Sequence, residues 1–102
     1  MLKRFLSTRI PRPVFRLYSG GKECTLCKEF KDALEDLQDQ RGDDFEVKYV
    51  DIRKDAEFKR LYQYDIPVLV LEDQQKWIMK HRIDCARVGQ AIDAWHKRQP
   101  QS

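Results

Sequence analysis

The chain has 102 residues, enough for one hydrophobic core and too few for two. Hydrophobic residues make up 41% of it, which suits a small globular fold, and no apolar run approaches the length of a membrane span. The net charge of +3 is uneven: residues 1–17 hold five bases and no acid, whereas residues 18–102 hold fifteen bases against seventeen acids. A nucleic-acid-binding domain needs its basic face on the folded part, so that class is disfavoured.

Met1 to Pro13 combines Ser7, Thr8 and spaced arginines with Leu2, Phe5, Leu6 and Ile10. This acid-poor amphipathic pattern fits a mitochondrial targeting segment; a disordered basic arm is the plainer reading. The expected locations are therefore mitochondrial or cytoplasmic. Pro11 and Pro13 would end any helix before residue 14. The domain is expected over residues 14–97, with a flexible polar tail over 98–102.

Val14–Tyr18 reads as a first strand and Ser19–Glu23 as a loop. From Thr25 to about Gln40, Leu26, Phe30, Ala33, Leu34 and Leu37 share one helical face. Gly42 suits the position just past that helix. Phe45–Ile52 reads as a second strand. Lys54–Gln63 reads as a short helix anchored by Phe58, Leu61 and Tyr62. Pro67–Leu71 has the composition of a buried strand, Glu72–Gln75 that of a tight turn, and Lys76–Arg82 that of a fourth strand making a hairpin with the third. Tyr18 and Trp77 fall at positions expected for core residues. Asp84 is placed to cap a last helix with Val88, Ala91, Ile92 and Trp95 on its apolar face. The order is β-α-β-α-β-β-α, with strands one and two parallel and an antiparallel hairpin.

Cys24-Thr25-Leu26-Cys27 stands where a strand and a Gly20-Gly21 turn give way to the first helix. Residues three apart face each other across one helical turn, so two sulfurs there can bond with little backbone movement. The first cysteine falls where unpaired N–H groups and the helix dipole favour an anion, which lowers a thiol's pKa. Such a pair in a βαβ setting reads as a redox centre. A metal site is the competing reading. Two cysteines cannot close a tetrahedral shell, and His81 and Cys85 could join only if the fold brings them close. No metal is expected. Otherwise Cys85 reads as a small hydrophobe in the first turn of the last helix, and His96 as a surface residue.

The element order, Cys24-Thr25-Leu26-Cys27, Asp65-Ile66-Pro67-Val68 and the strand ending in His81-Arg82 together resemble the thioredoxin fold. More narrowly, the chain is similar to short glutaredoxin-like proteins with a C-x-L-C motif, over residues 14–97. The resemblance implies an α/β domain with a four-stranded mixed sheet flanked by three helices. It implies a nucleophilic Cys24, a resolving Cys27, a redox-active disulfide between them, and a cis Pro67 lying against that disulfide. Thr25, Leu26, Ile66, Arg82 and Asp84 would border the substrate, with Lys22 on the loop before Cys24. Lys22 and Lys28 would favour a thiolate and Glu23 would oppose it. Two departures stand out. Gly21 occupies the place of a lysine usual in glutathione-binding members, and His81 and Arg82 replace two glycines ahead of Asp84. The activity implied is dithiol reduction of protein disulfides or glutathione mixed disulfides by a monomer without a bound cofactor. Glutathione is a candidate electron donor. A low-turnover binding or assembly module, linked to a metal or an iron–sulfur cluster, is the alternative.

Overall fold

The computed structural model describes residues 11–21 and 23–99. The segment expected to be a targeting arm falls mostly outside this range, as do Lys22 and the last three residues. Four strands, β1 (Val14–Ser19), β2 (Glu46–Asp51), β3 (Val68–Leu71) and β4 (Lys76–Lys80), form one sheet in the order β2-β1-β3-β4. Three helices, α1 (Thr25–Arg41), α2 (Ala56–Tyr62) and α3 (Cys85–Arg98), flank it. β1 and β2 are parallel and β3 and β4 antiparallel, as the sequence predicts; the two halves join through an antiparallel β1–β3 pair.

Alternation along β1 divides the core. Phe15 and Leu17 point to the face covered by α1 and α3, where Phe30, Leu34, Phe45, Leu69, Met79, Val88, Ile92 and Trp95 close around them. Tyr18 points to the other face and packs with Ile52, Val68 and Val70 under α2. Phe15, Phe30 and Phe45 are essentially inaccessible, and each such side chain contributes about 1.5–3 kcal/mol by leaving water.

Local chemistry sets the helix ends. Asp55 caps α2 by accepting from the N–H groups of Glu57 and Phe58, and Asp84 caps α3 by accepting from that of Arg87. Gly42 ends α1 in the left-handed conformation. Arg41, in the last turn of α1, reaches Asp44 and Asp93, tying α1 to α3.

Several expectations shift. β2 ends at Asp51, and Ile52–Lys54 forms a single 3-10 turn. Strand β3 begins at Val68, one residue after the proline. The second helix is shorter than expected. Its inward side is half-buried Phe58, edge-on to Tyr18, and half-buried Tyr62, stacked on Tyr18, while Leu61 faces solvent. Trp77 is 44% exposed instead of buried. A bulge explains this: Leu69 opposes Met79 but Val70 opposes Trp77, so Ile78 is extra and the alternation inverts across it. Met79 thus stays in the larger core, while Trp77 goes to the α2 face beside Tyr62. β4 stops at Lys80 because His81 turns to φ 70°. Cys85, in the first turn of α3, is exposed. His96 is half-buried, with Nε2 against the Asp44 carbonyl.

Candidate active site

The strand pairings gather the candidate residues at one end of the sheet. Ser19 pairs with Asp51, Tyr18 with Val68, and Val68 with Lys80. The loop after β1, the turn after β2, the segment before β3 and the turn after β4 therefore all emerge at the same edge.

Cys24 is the N-cap of α1. Its extended backbone lets the sulfur turn back over the first turn, where it accepts the Cys27 backbone N–H at 3.2 Å. The two cysteines are disulfide-bonded, with Cα atoms 5.1 Å apart, a separation that one helical turn supplies directly. Their environments differ. Cys27 is 4% exposed and belongs to the interior, whereas Cys24 is partly open at the surface. Thr25 is exposed between them and Leu26 half-buried. The outer sulfur is the more accessible of the two, and it is also the one receiving an N–H from the first turn of the helix. A thiolate left on Cys24 after reduction would be stabilised by that donor and by the helix dipole.

Three contacts fix the loop ahead of Cys24. The Cys24 N–H donates to the Gly21 carbonyl at 3.2 Å. A Cβ on Gly20 would overlap Ile66, and one on Gly21, already at φ 86°, would overlap the Arg53 guanidinium. Arg53 is itself locked to Asp51: Nε to Oδ1 at 3.0 Å and Nη2 to Oδ2 at 2.8 Å, with its backbone N–H to Oδ1 at 2.9 Å. The Arg53 side-chain hydrogen bonds, reinforced by that backbone N–H, pull the Asp51 carboxyl down to about 2. The Glu23 carboxylate also acts on Arg53. Arg53 escapes sequence reading because its sole signal, a base two residues after an acid at a strand end, is common on any surface.

The Ile66–Pro67 bond is cis. Pro67 is buried and its carbonyl accepts the His81 N–H at 2.8 Å. Among the described residues, neither the N–H nor the C=O of Ile66 has a backbone partner. Ile66 contributes a side chain beside Gly20 and a free backbone edge beside the disulfide loop. Arg82 is exposed, and the Asp84 carboxylate is engaged in capping α3. No polar contact ties either residue to Cys24. Lys22 lies outside the described residues. No group of three or more His, Cys, Asp or Glu side chains that could hold a metal ion occurs among the described residues.

A disulfide-bonded cysteine pair at the first turn of the helix after β1, beside a cis-proline on the same sheet edge, is compatible with redox function and defines a protein of the thioredoxin-fold class. The family model for the Glutaredoxin-like domain (DUF836) matches residues 17–93, and the chain belongs to that family. Solved structures agree on the fold. The solution structure of protein Ne2328 from Nitrosomonas europaea is 24% identical, with a TM-score of 0.65 over 82% of this chain and 95% of the other. A malarial protein is 15% identical, with a TM-score of 0.61 over 82% and 97%. The germline-specific thioredoxin Deadhead from Drosophila melanogaster is 17% identical, with a TM-score of 0.58 over 91% and 89%. No curated protein matches the chain.

Proposed function

We propose that this protein is a thiol–disulfide oxidoreductase working by a dithiol mechanism. The Cys24 thiolate attacks one sulfur of a substrate disulfide. The substrate S–S bond breaks, one substrate thiolate leaves, and a mixed disulfide forms on Cys24. Cys27 then loses its proton and attacks the Cys24 sulfur. The second substrate thiolate departs, the Cys24–Cys27 bond forms, and two electrons have passed to the substrate. A thiol reductant, of which glutathione is one, restores the dithiol by the reverse exchange.

One observation carries this reading: the asymmetry of the pair, with Cys24 accessible and hydrogen-bonded from the helix terminus and Cys27 buried directly behind it. An extended substrate would add as a strand at Ile66, whose backbone groups are unpaired among the described residues. The substrates are protein disulfides or glutathione mixed disulfides.

The test is reduction of a glutathionylated peptide, with reduced glutathione as donor. Cys24→Ser is expected to abolish turnover. Cys27→Ser is expected to accumulate a mixed disulfide visible as a mass increment. Wild-type turnover in both variants sinks the mechanism.

A further inference from the structure

A cavity of about 380 Å³ opens beside Cys27, between α1 and the β1–β2 pair. Its walls are Leu17, Ser19 and Gly21 from β1 and the following loop, Cys27, Lys28 and Lys31 from α1, and Tyr49 from β2. Neither Pro67 nor Arg82 lines it. Ile66, at which an extended substrate would pair, does not line it either. The volume lies at the lower end of the range that small-molecule sites occupy.

The walls are apolar and the rim is cationic. Leu17 is buried in the floor, and the Tyr49 ring forms one side, half in solvent. Lys31 holds its ammonium 5.4 Å from the centre of that ring and makes no ion pair among the described residues. Lys28 reaches Asp32 only at 4.0 Å, with both side chains well exposed. An opposing charge is present: Glu35, one turn beyond Lys31, acts on Tyr49. Burial first, and Glu35 second, push the Tyr49 hydroxyl up, so it stays a neutral hydrogen-bond donor near neutral pH. Two weakly engaged ammonium groups over an apolar, aromatic-sided hollow complement a ligand with an anionic head and an apolar body.

We propose that this cavity is a binding site for a small organic anion. An aromatic or branched apolar body would lie against Leu17 and Tyr49, with a carboxylate or sulfonate between Lys28 and Lys31. Because Cys27 forms part of the wall, an occupant would contact the resolving cysteine from behind. Any difference in its affinity for the disulfide and dithiol forms would shift the redox equilibrium by the same factor. Binding itself does not depend on the oxidoreductase reading.

The probe is anilinonaphthalene sulfonate, titrated by fluorescence into the oxidised full-length chain and mapped by amide chemical shifts. Saturable binding is expected, with the largest shifts at Ser19, Gly21, Lys31 and Tyr49. The double variant Lys28→Glu, Lys31→Glu should weaken binding roughly tenfold or more, as expected for reversing two nearby partly screened charges. The uncharged analogue N-phenylnaphthylamine should bind more weakly than the sulfonate. Three outcomes overturn the proposal: no saturation up to about 1 mM, a dissociation free energy near 4 kcal/mol; shifts concentrated around Tyr62 and Trp77 on the opposite sheet face; or unchanged affinity in the double variant.

Discussion

Replacing Gly21 by alanine tests how the loop ahead of Cys24 is held. Gly21 and Gly42 both have positive φ, 86° and 67°, but their surroundings differ. A Cβ at Gly42 meets nothing within 4 Å, whereas one at Gly21 overlaps the Arg53 guanidinium. At Gly42 the cost is conformational: about 1–2 kcal/mol for an L-residue in the left-handed region, less roughly 0.5 kcal/mol from the stiffer unfolded chain, so about 1 kcal/mol net. Gly21→Ala carries that cost plus displacement of Arg53, and about 2 kcal/mol is expected, inside the usual range for a strained backbone site. Urea unfolding of the oxidised protein reads both numbers, provided the slope with denaturant is unchanged. The decisive comparison is a cycle with Arg53→Ala: in that background Gly21→Ala should cost no more than Gly42→Ala does in the wild type. If Gly21→Ala and Gly42→Ala cost the same in the wild type, or if removing Arg53 does not bring them together, Arg53 does not hold this loop.

The remaining predictions concern charge and strain at the same edge of the sheet. The Asp51 carboxyl titrates at about 2, below the ordinary value near 3.9, so its contribution to stability is complete above about pH 4 and is lost as pH falls towards 2. Asp51→Asn should therefore flatten that stretch of the acid limb in a pH series of urea midpoints; an unchanged slope would show that the Arg53 pair contributes nothing. His81 adopts φ 70° without being glycine. His81→Gly should raise stability by about 0.5–1 kcal/mol, the left-handed penalty less the added freedom of the unfolded chain, and a fall in the thermal midpoint would refute this. In the reduced protein the Cys24 thiol should titrate below the ordinary value of about 8.5, because the Cys27 N–H and the terminus of α1 favour the anion. Thiolate absorbance against pH measures it, and a midpoint at or above 8.5 removes the physical basis for assigning Cys24 as nucleophile.

Where one residue's chemistry decides an element, the sequence already contains the answer. Asp84 before an i, i+3, i+4, i+7 apolar set predicts α3 and its cap, and both are present. Gly42 predicts the end of α1 for the same reason. The cysteine spacing predicts the disulfide turn because a residue capping a helix and the residue three further on lie one turn apart. What depends on a partner distant in sequence is invisible. Trp77 looks like a core residue until the extra residue at Ile78 inverts the alternation, and a bulge is a property of a strand pair. Leu61 belongs to an apolar triplet, but the Tyr18 ring accepts only Phe58 and Tyr62. Arg53 comes to Gly21 through strand pairing, which no local pattern records. His81 at positive φ is likewise invisible locally, since nothing in its own residue type demands a left-handed turn there.

Register then explains why the candidate site is where it is. Parallel pairing of Ser19 with Asp51 brings the ends of β1 and β2 level, so Arg53, two residues beyond Asp51, meets Gly21, two residues beyond Ser19. Antiparallel pairing of Tyr18 with Val68 starts β3 at the same level, and this sets Ile66 against Gly20. The disulfide loop is consequently gripped from two sides by side chains more than thirty positions away in sequence. A slip of one residue between β1 and β2 would invert the faces of β2 and withdraw the guanidinium together. The hydrophobic alternation that buries Phe15 and Leu17 thus also fixes which side chain stands against Gly21. Core packing and the seating of the loop ahead of Cys24 are set by one and the same strand register.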